Sequence, residues 1–178
     1  DKSEKLCYNT EKKEQQKEEI IFAVNKYVGR LYENTYRINL HTHDFWEIVR
    51  YTKGSGLVEI DGEIIPFQEN DIFAIPPNVP HTDYSDTGFQ NYHYTFNDDD
   101  FNRLSYMKFQ DTENNDFLTI MAQLYHEYHL KRKNYQNIID SLYTVLFHYI
   151  LALSEEAESN QYVALVINEI ISNISNPD

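Results

Sequence analysis

The sequence predicts a mainly β fold followed by helices, and two observations carry that prediction. From about Tyr36 to Phe96, short apolar segments alternate with turn signals. One of these is Asp61-Gly62, whose glycine tolerates the positive φ of a two-residue hairpin turn. After about Asp116 the apolar residues recur every three or four positions, which is the spacing of an amphipathic helix. Short strands with frequent turns are typical of a sandwich or barrel.

Two amphipathic helices are predicted in the second half of the chain. The apolar positions of the first helix are Phe117, Ile120, Met121, Leu124 and Tyr128. Those of the second helix are Ile138, Ile139, Leu142, Val145, Leu146, Tyr149, Ile150 and Leu153. The polar segment 131–134 is short, so the two helices are expected to form an antiparallel pair.

Composition narrows the class of protein. The 178 residues suffice for one domain with a real core. The formal net charge is -14, so this chain by itself is not expected to bind DNA, which requires Lys and Arg contacts to phosphate. A single cysteine, Cys7, excludes a disulfide within the chain and fits a cytoplasmic protein. No apolar segment is expected to be long enough to span a membrane.

The most informative chemical feature is a set of three histidines and one glutamate. His41, His43 and Glu47 have odd numbers, so on one strand they would project from the same face. The rigid segment 76–80, which contains three prolines, then leads to His81. Imidazole and carboxylate together suit a divalent transition metal such as Zn, Ni, Fe or Mn. The same groups also suit a metal-free pocket that hydrogen-bonds a ligand, or strand residues that pair with each other.

Aromatic residues suggest what surrounds this set. Phe45 and Tyr51 share the odd-numbered face, so they are the preferred aromatic residues of a pocket. Trp46 lies on the opposite face and is expected to pack under a helix. Arg37 and Arg50 are interpreted as surface residues.

The motifs together resemble a cupin. They are His41-x-His43-Asp44-Phe45-Trp46-Glu47, Gly54-Ser55-Gly56, Asp61-Gly62, Asn70-Asp71-Ile72 and the segment from Ile75 to His81. More narrowly, residues 36–96 resemble the N-terminal effector domain of AraC-type transcriptional regulators. Asn70 stands where the second motif of that family usually has glycine. The resemblance implies a cupin-like double-stranded β-helix, or jelly-roll barrel, with a following helical pair that is used for dimerisation.

The resemblance also implies a domain organisation. Residues 1–19 are predicted from their Lys, Glu and Gln content to be a mobile charged leader. Under the resemblance, 20–112 would be the effector-binding barrel and 113–155 the helical dimerisation pair. Residues 156–178 would be a linker and the first helix of a truncated helix-turn-helix domain, because 163–177 resembles that helix. DNA binding would then belong to a C-terminal segment that is absent from this sequence.

The expected function is effector sensing and dimerisation in a homodimeric transcription regulator, without enzyme activity. A small polar ligand such as a sugar would be bound by six residues: His41, His43, Phe45, Glu47, Tyr51 and His81. The alternative is a metal-dependent cupin enzyme, an oxygenase or isomerase, that uses His41, His43, Glu47 and His81 as ligands. A third possibility is a plain cupin storage or binding module.

Overall fold

A computed structural model describes residues 24–98 and 106–154 of the chain. The predicted leader, 1–19, and the predicted linker and helix of 156–178 lie outside the described residues. The domain boundaries proposed from the sequence therefore stay predictions.

The described residues form one antiparallel sheet and two helices. The strands are β1 (Val24–His41), β2 (Trp46–Gly54), β3 (Gly56–Ile60), β4 (Glu63–Phe67), β5 (Asp71–Ile75), β6 (His81–Asn97) and β7 (Met107–Gln110). The helices are α1 (Asp116–Leu130) and α2 (Tyr135–Ser154). The strand order is β4-β3-β6-β2-β5-β7, and β1 pairs with β6. The sheet curls into a half-barrel, so the predicted mainly β fold with a helical pair is confirmed.

Alternation along β2 separates two cores. Trp46 and Ile48 lie on the face that is covered by the helices, where they join the apolar residues of α1 and α2. Val49 and Tyr51 lie on the opposite, concave face, in a second cluster that contains Phe73 of β5. Because side chains alternate along a strand, one short sequence can supply both cores. The expectation that Trp46 packs under a helix is confirmed.

Two turns confirm the backbone predictions. Asp61 and Gly62 have φ of 51° and 82° between paired strands β3 and β4, as a type I′ hairpin turn requires. Asn70 has φ of 76°, a left-handed conformation that asparagine tolerates better than most residues. Asparagine can therefore occupy the position where the family motif usually has glycine.

Helix α2 corrects one expectation from the sequence. It has 20 residues with a mean hydropathy of 1.2, so its length and composition alone would allow it to cross a membrane. Its buried residues instead belong to the core cluster that α1 and the sheet share: Ile139, Tyr143, Leu146 and Ile150. A helix that packs one face on a protein core passes the same test of length and composition.

Candidate functional site

Four polar residues converge at one end of the sheet, but they do not come from one strand. His41 ends β1, His43 lies in the connection 42–45, Glu47 is in β2 and His81 begins β6. The prediction that one strand carries His41, His43 and Glu47 is therefore wrong, because the chain leaves β1 after His41. The nitrogen and oxygen atoms of these three and His81 nevertheless lie within 4.8 Å of one another.

Backbone pairing explains why the four residues meet. His41 and His81 are register partners at the ends of β1 and β6, and their ring centroids are 4.2 Å apart. The proline-rich loop is attached to the other connection by a 2.7 Å hydrogen bond from Asn78 N to His43 O. This loop turns at Pro77 and Asn78, where Asn78 has φ of 62°, and it places His81 beside His43 with ring centroids 4.9 Å apart.

Each histidine ring is oriented by a backbone carbonyl two residues away. The contacts are His41 Nδ1 to Asn39 O at 2.8 Å, His43 Nδ1 to Phe45 O at 2.9 Å and His81 Nδ1 to Val79 O at 2.9 Å. A proton on Nδ1 that donates to such a carbonyl fixes the tautomer and leaves Nε2 for another partner.

Glu47 is the common acceptor at the centre of the cluster. Its Oε2 lies 3.1 Å from Nε2 of both His43 and His81. Burial alone would raise the pKa of the Glu47 carboxyl, but these two hydrogen bonds and the nearby positive charge hold it well below its ordinary value. Burial would lower the pKa of His81, but hydrogen bonds to Glu47 and Val79 raise it above the ordinary 6.5.

The donor set fits a divalent transition metal. Three imidazole nitrogens and one carboxylate oxygen suit Zn, Ni, Fe or Mn. Neighbouring ligands at about 2.1 Å from a metal ion are separated by about 3 Å, which matches the two 3.1 Å separations around Glu47. His41, His43, Glu47 and His81 would hold such an ion, which would compete with protons for the imidazole nitrogens.

The cluster opens into a cavity of about 200 Å³ on the concave face of the sheet. Its polar lining residues are His41, Glu47, His81, Asp83, Asn91 and His93, and its apolar ones are Leu31, Ile38, Val49 and Ile75. A few polar groups in a largely apolar hollow are the usual form of a small-ligand site.

Neither of the two predicted aromatic residues, Phe45 and Tyr51, lines this cavity. Phe45 stacks on the His43 ring, with centroids 4.1 Å apart and ring planes 6° apart, and so supports that ring from outside the lining. Tyr51 is fully buried in the second core cluster, where it stacks on Phe67 at 3.8 Å. The odd-numbered face of β2 extends beyond the cavity, which explains why spacing alone placed Tyr51 in the pocket.

Three polar residues of the cavity, all on β6, were not among the residues predicted from the sequence. Asp83, Asn91 and His93 share the odd-numbered face of this strand with His81. Applying to β6 the alternation that was applied to residues 41–51 would have identified them as candidates. The signal is weaker there, because β6 is unusually long and carries polar residues on both faces.

Burial in the cavity shifts the pKa values of Asp83 and His93 in opposite directions. Burial, and then repulsion from Glu47, raises the pKa of Asp83 to about 7. Burial lowers the pKa of His93 below 6.5, so its ring is neutral near pH 7. Gly29, the register partner of His93, makes room for that ring, because a Cβ at Gly29 would overlap His93 Nε2.

The family comparison covers the sheet and most of the helical part. Residues 25–147 match the family model of the AraC-like ligand binding domain. The chain belongs to this family. The resemblance inferred from the motifs is thereby confirmed, and the site described above lies within the matched region of the AraC-like domain.

Solved structures provide further similarities for this AraC-like domain. A salicylate 1,2-dioxygenase from Pseudoaminobacter salicylatoxidans is 22% identical over 38% of this chain and 18% of its own, with a TM-score of 0.34. An RmlC-like cupin from Shewanella frigidimarina is 22% identical over 42% of this chain and 68% of its own, with a TM-score of 0.36. A variant of oxalate decarboxylase from Bacillus subtilis is 25% identical over 42% of this chain and 21% of its own, with a TM-score of 0.33.

The chain thus matches about a fifth of the dioxygenase and decarboxylase chains. No curated protein sequence matches it at a significant level.

Proposed function

We propose that this AraC-like domain senses a small polar effector in the cavity of the sheet. The observation that carries the proposal is the convergence of six polar side chains from β1, β2 and β6 on one hollow of about 200 Å³. They include donors and acceptors on several walls, so a ligand with several hydroxyl groups can be bound from more than one side.

A sugar or a related hydroxylated metabolite fits this lining. The hollow is smaller than the roughly 300–1,000 Å³ of sites for drug-sized ligands, which favours a compact effector. Ile38, Val49 and Ile75 supply an apolar wall for the carbon skeleton. The ligand-binding set that we propose is therefore His41, Glu47 and His81 with Asp83, Asn91 and His93, and His43 orients Glu47.

Calorimetric titration with a panel of sugars and hydroxy acids tests the proposal. One matched pair of variants locates the binding site: His93→Gln changes the cavity, and His148→Gln makes the same change on an exposed position of α2. The expected result is a panel member whose affinity falls about tenfold or more in His93→Gln and is unchanged in His148→Gln. Equal affinity in both variants would reject the cavity as the effector site.

A metal centre is the second candidate, and the donor set carries it. His41, His43, Glu47 and His81 would bind the ion, which would supply a Lewis acid or a redox centre to a cupin enzyme such as an oxygenase or isomerase. Elemental analysis of the purified protein, compared with the double variant His43→Ala/His81→Ala, tests this. Negligible metal in both proteins would end the metal hypothesis and leave the effector proposal unaffected.

Dimerisation through the helical pair is a further part of the proposal. The helical pair exposes the apolar side chains of Leu130 and Val145, and exposed apolar surface of this kind is what a protein–protein interface would cover. We propose that a homodimer in the cytoplasm uses this surface, and that a C-terminal region supplies DNA binding. Sedimentation should show a dimer that Val145→Asp converts to a monomer. A monomer at every concentration of the wild-type protein would contradict it.

A further inference from the structure

A second cavity, of about 220 Å³, lies between the two helices and shares no residue with the cavity of the sheet. Its lining comes from the end of α1, the connection between the helices and the start of α2: Gln123, His126, Glu127, Arg132, Ile138 and Leu142. It combines one acidic residue, one basic residue and an apolar wall.

Glu127 is the unusual member of this lining, because it is a carboxylate that is only 4% exposed. Its Oε1 accepts a hydrogen bond from Arg132 Nη2. Its Oε2 is buried and has no hydrogen-bond partner among the residues that the structure describes. A buried carboxylate oxygen without a partner is unfavourable, so a hydrogen-bond donor from outside the chain belongs at this position.

Arg132 provides the opposite charge at the mouth of the same cavity. Its side chain is 63% exposed, and the contact to Glu127 uses only one of the five N–H groups of the guanidinium. The remaining donors have the planar arrangement that binds a carboxylate by two parallel hydrogen bonds. Ile138 and Leu142 of α2 form the apolar part of the lining.

We propose that this cavity binds a free α-amino acid with an aliphatic side chain. The ammonium group donates to Glu127 Oε2, the carboxylate accepts from Arg132, and the side chain packs against Ile138 and Leu142. A zwitterion uses both members of the ion pair, whereas an amine or a carboxylic acid uses only one. The proposal does not depend on what occupies the cavity of the sheet.

Calorimetric titration of the whole chain with L-leucine tests this site. Two analogues separate the charged groups: 3-methylbutylamine lacks the carboxylate, and 4-methylpentanoate lacks the ammonium. Glu127→Gln keeps the shape of the buried residue while removing its charge, so this variant is expected to fold. Arg132→Gln changes an exposed residue. Glu113→Gln is the matched control, because Glu113 is exposed and lies outside the cavity.

L-leucine should bind the wild type and Glu113→Gln equally, and Glu127→Gln and Arg132→Gln about tenfold or more weakly. Each analogue should also bind the wild type about tenfold or more weakly than L-leucine does. The absence of L-leucine binding at millimolar concentrations would overturn the proposal, as would equal affinity in Glu127→Gln and the wild type. Binding that is lost in His93→Gln but kept in Glu127→Gln would place the amino acid in the cavity of the sheet and would overturn it too.

Discussion

Arg50 Nε donates a 3.1 Å hydrogen bond to Asp111 Oδ2, and both side chains are fully buried. The prediction that Arg50 lies on the surface is therefore wrong. Because its number is even, Arg50 faces the helix-covered side of β2, opposite the cavity. Its guanidinium also donates to Tyr51 O, Asn70 Oδ1 and Asn115 Oδ1. A charge at this depth is tolerated because nearly every donor has an acceptor.

Asp111 also contacts the beginning of α1, and so connects Arg50 to that helix. Its Oδ1 accepts from Phe117 N and its Oδ2 from Leu118 N, two of the N–H groups that a helix leaves unpaired in its first turn. A negative charge is favourable at a helix N-terminus, where the helix dipole is positive. Arg50 and Asp111 therefore join the strand that carries Glu47 to the first helix of the pair.

Arg50→Met is expected to lower the free energy of unfolding by about 3 to 5 kcal/mol, because it leaves the buried Asp111 carboxylate without its counter-charge. Urea denaturation measures this difference. Arg37→Met is the matched control, since Arg37 is exposed on β1, and a change within about 0.5 kcal/mol is expected there. A loss in Arg50→Met no larger than that of the control would show that the pair contributes little.

The raised pKa of Asp83 predicts that the free energy of unfolding falls as the pH rises. The pKa of this carboxyl moves from 3.8 to about 7 on folding, so the folded protein binds the proton more tightly than the unfolded chain. Between about pH 4 and pH 7 its contribution to stability is therefore progressively lost, and above that range it is constant. Asp83→Asn, which resembles the protonated acid, should become increasingly more stable than the wild type across this window.

Urea denaturation of the metal-free protein at a series of pH values gives the two curves. Asp86→Asn makes the same change at an exposed position of β6, so its curve should parallel that of the wild type. A constant difference between Asp83→Asn and the wild type from about pH 4 to pH 8 would contradict the assigned shift.

Gly54 and Gly62 have similar positive φ, but substitution by alanine is expected to lower the free energy of unfolding by different amounts. Gly62 has φ of 82°, and an added Cβ would meet nothing within 4 Å. Gly62→Ala should therefore lower the free energy of unfolding by only about 1 to 2 kcal/mol, the cost of a left-handed backbone for alanine. Gly54 has φ of 86°, but there a Cβ would overlap the backbone carbonyl oxygen of Gly88. Gly54→Ala should therefore lose clearly more in urea denaturation, and equal losses would contradict the crowding of β2 against β6.

Alternation along a strand could predict the positions of side chains within β2, but not those of His41 and His43. Alternation correctly assigned Trp46 and Glu47 to opposite faces, because β2 is regular over those residues. It failed for His41 and His43, since the strand ends between them and the convergence results from pairing with His81. Which strands become neighbours is a tertiary property, so the burial of Arg50 against Asp111 could not be inferred from local pattern.

Zinc binding should release protons from the histidine cluster. In the metal-free protein, Nε2 of His43 and of His81 face Glu47 Oε2, and hydrogen bonding to Glu47 helps to keep the pKa of His81 above 6.5. A metal ion needs both nitrogens deprotonated, so metal and protons compete for the same atoms. Titration of zinc in two buffers of different ionisation enthalpy should therefore report a net release of protons at slightly acidic pH.

The affinity for zinc should accordingly fall as the pH is lowered, because protons compete with the ion for Nε2 of His81. His43→Ala should bind zinc more weakly, because one of the four ligands is lost. His148→Ala removes an exposed imidazole of α2 and should behave as the wild type. Zinc binding without proton release, or with wild-type affinity in His43→Ala, would mean that the ion binds elsewhere than at Nε2 of His43 and His81.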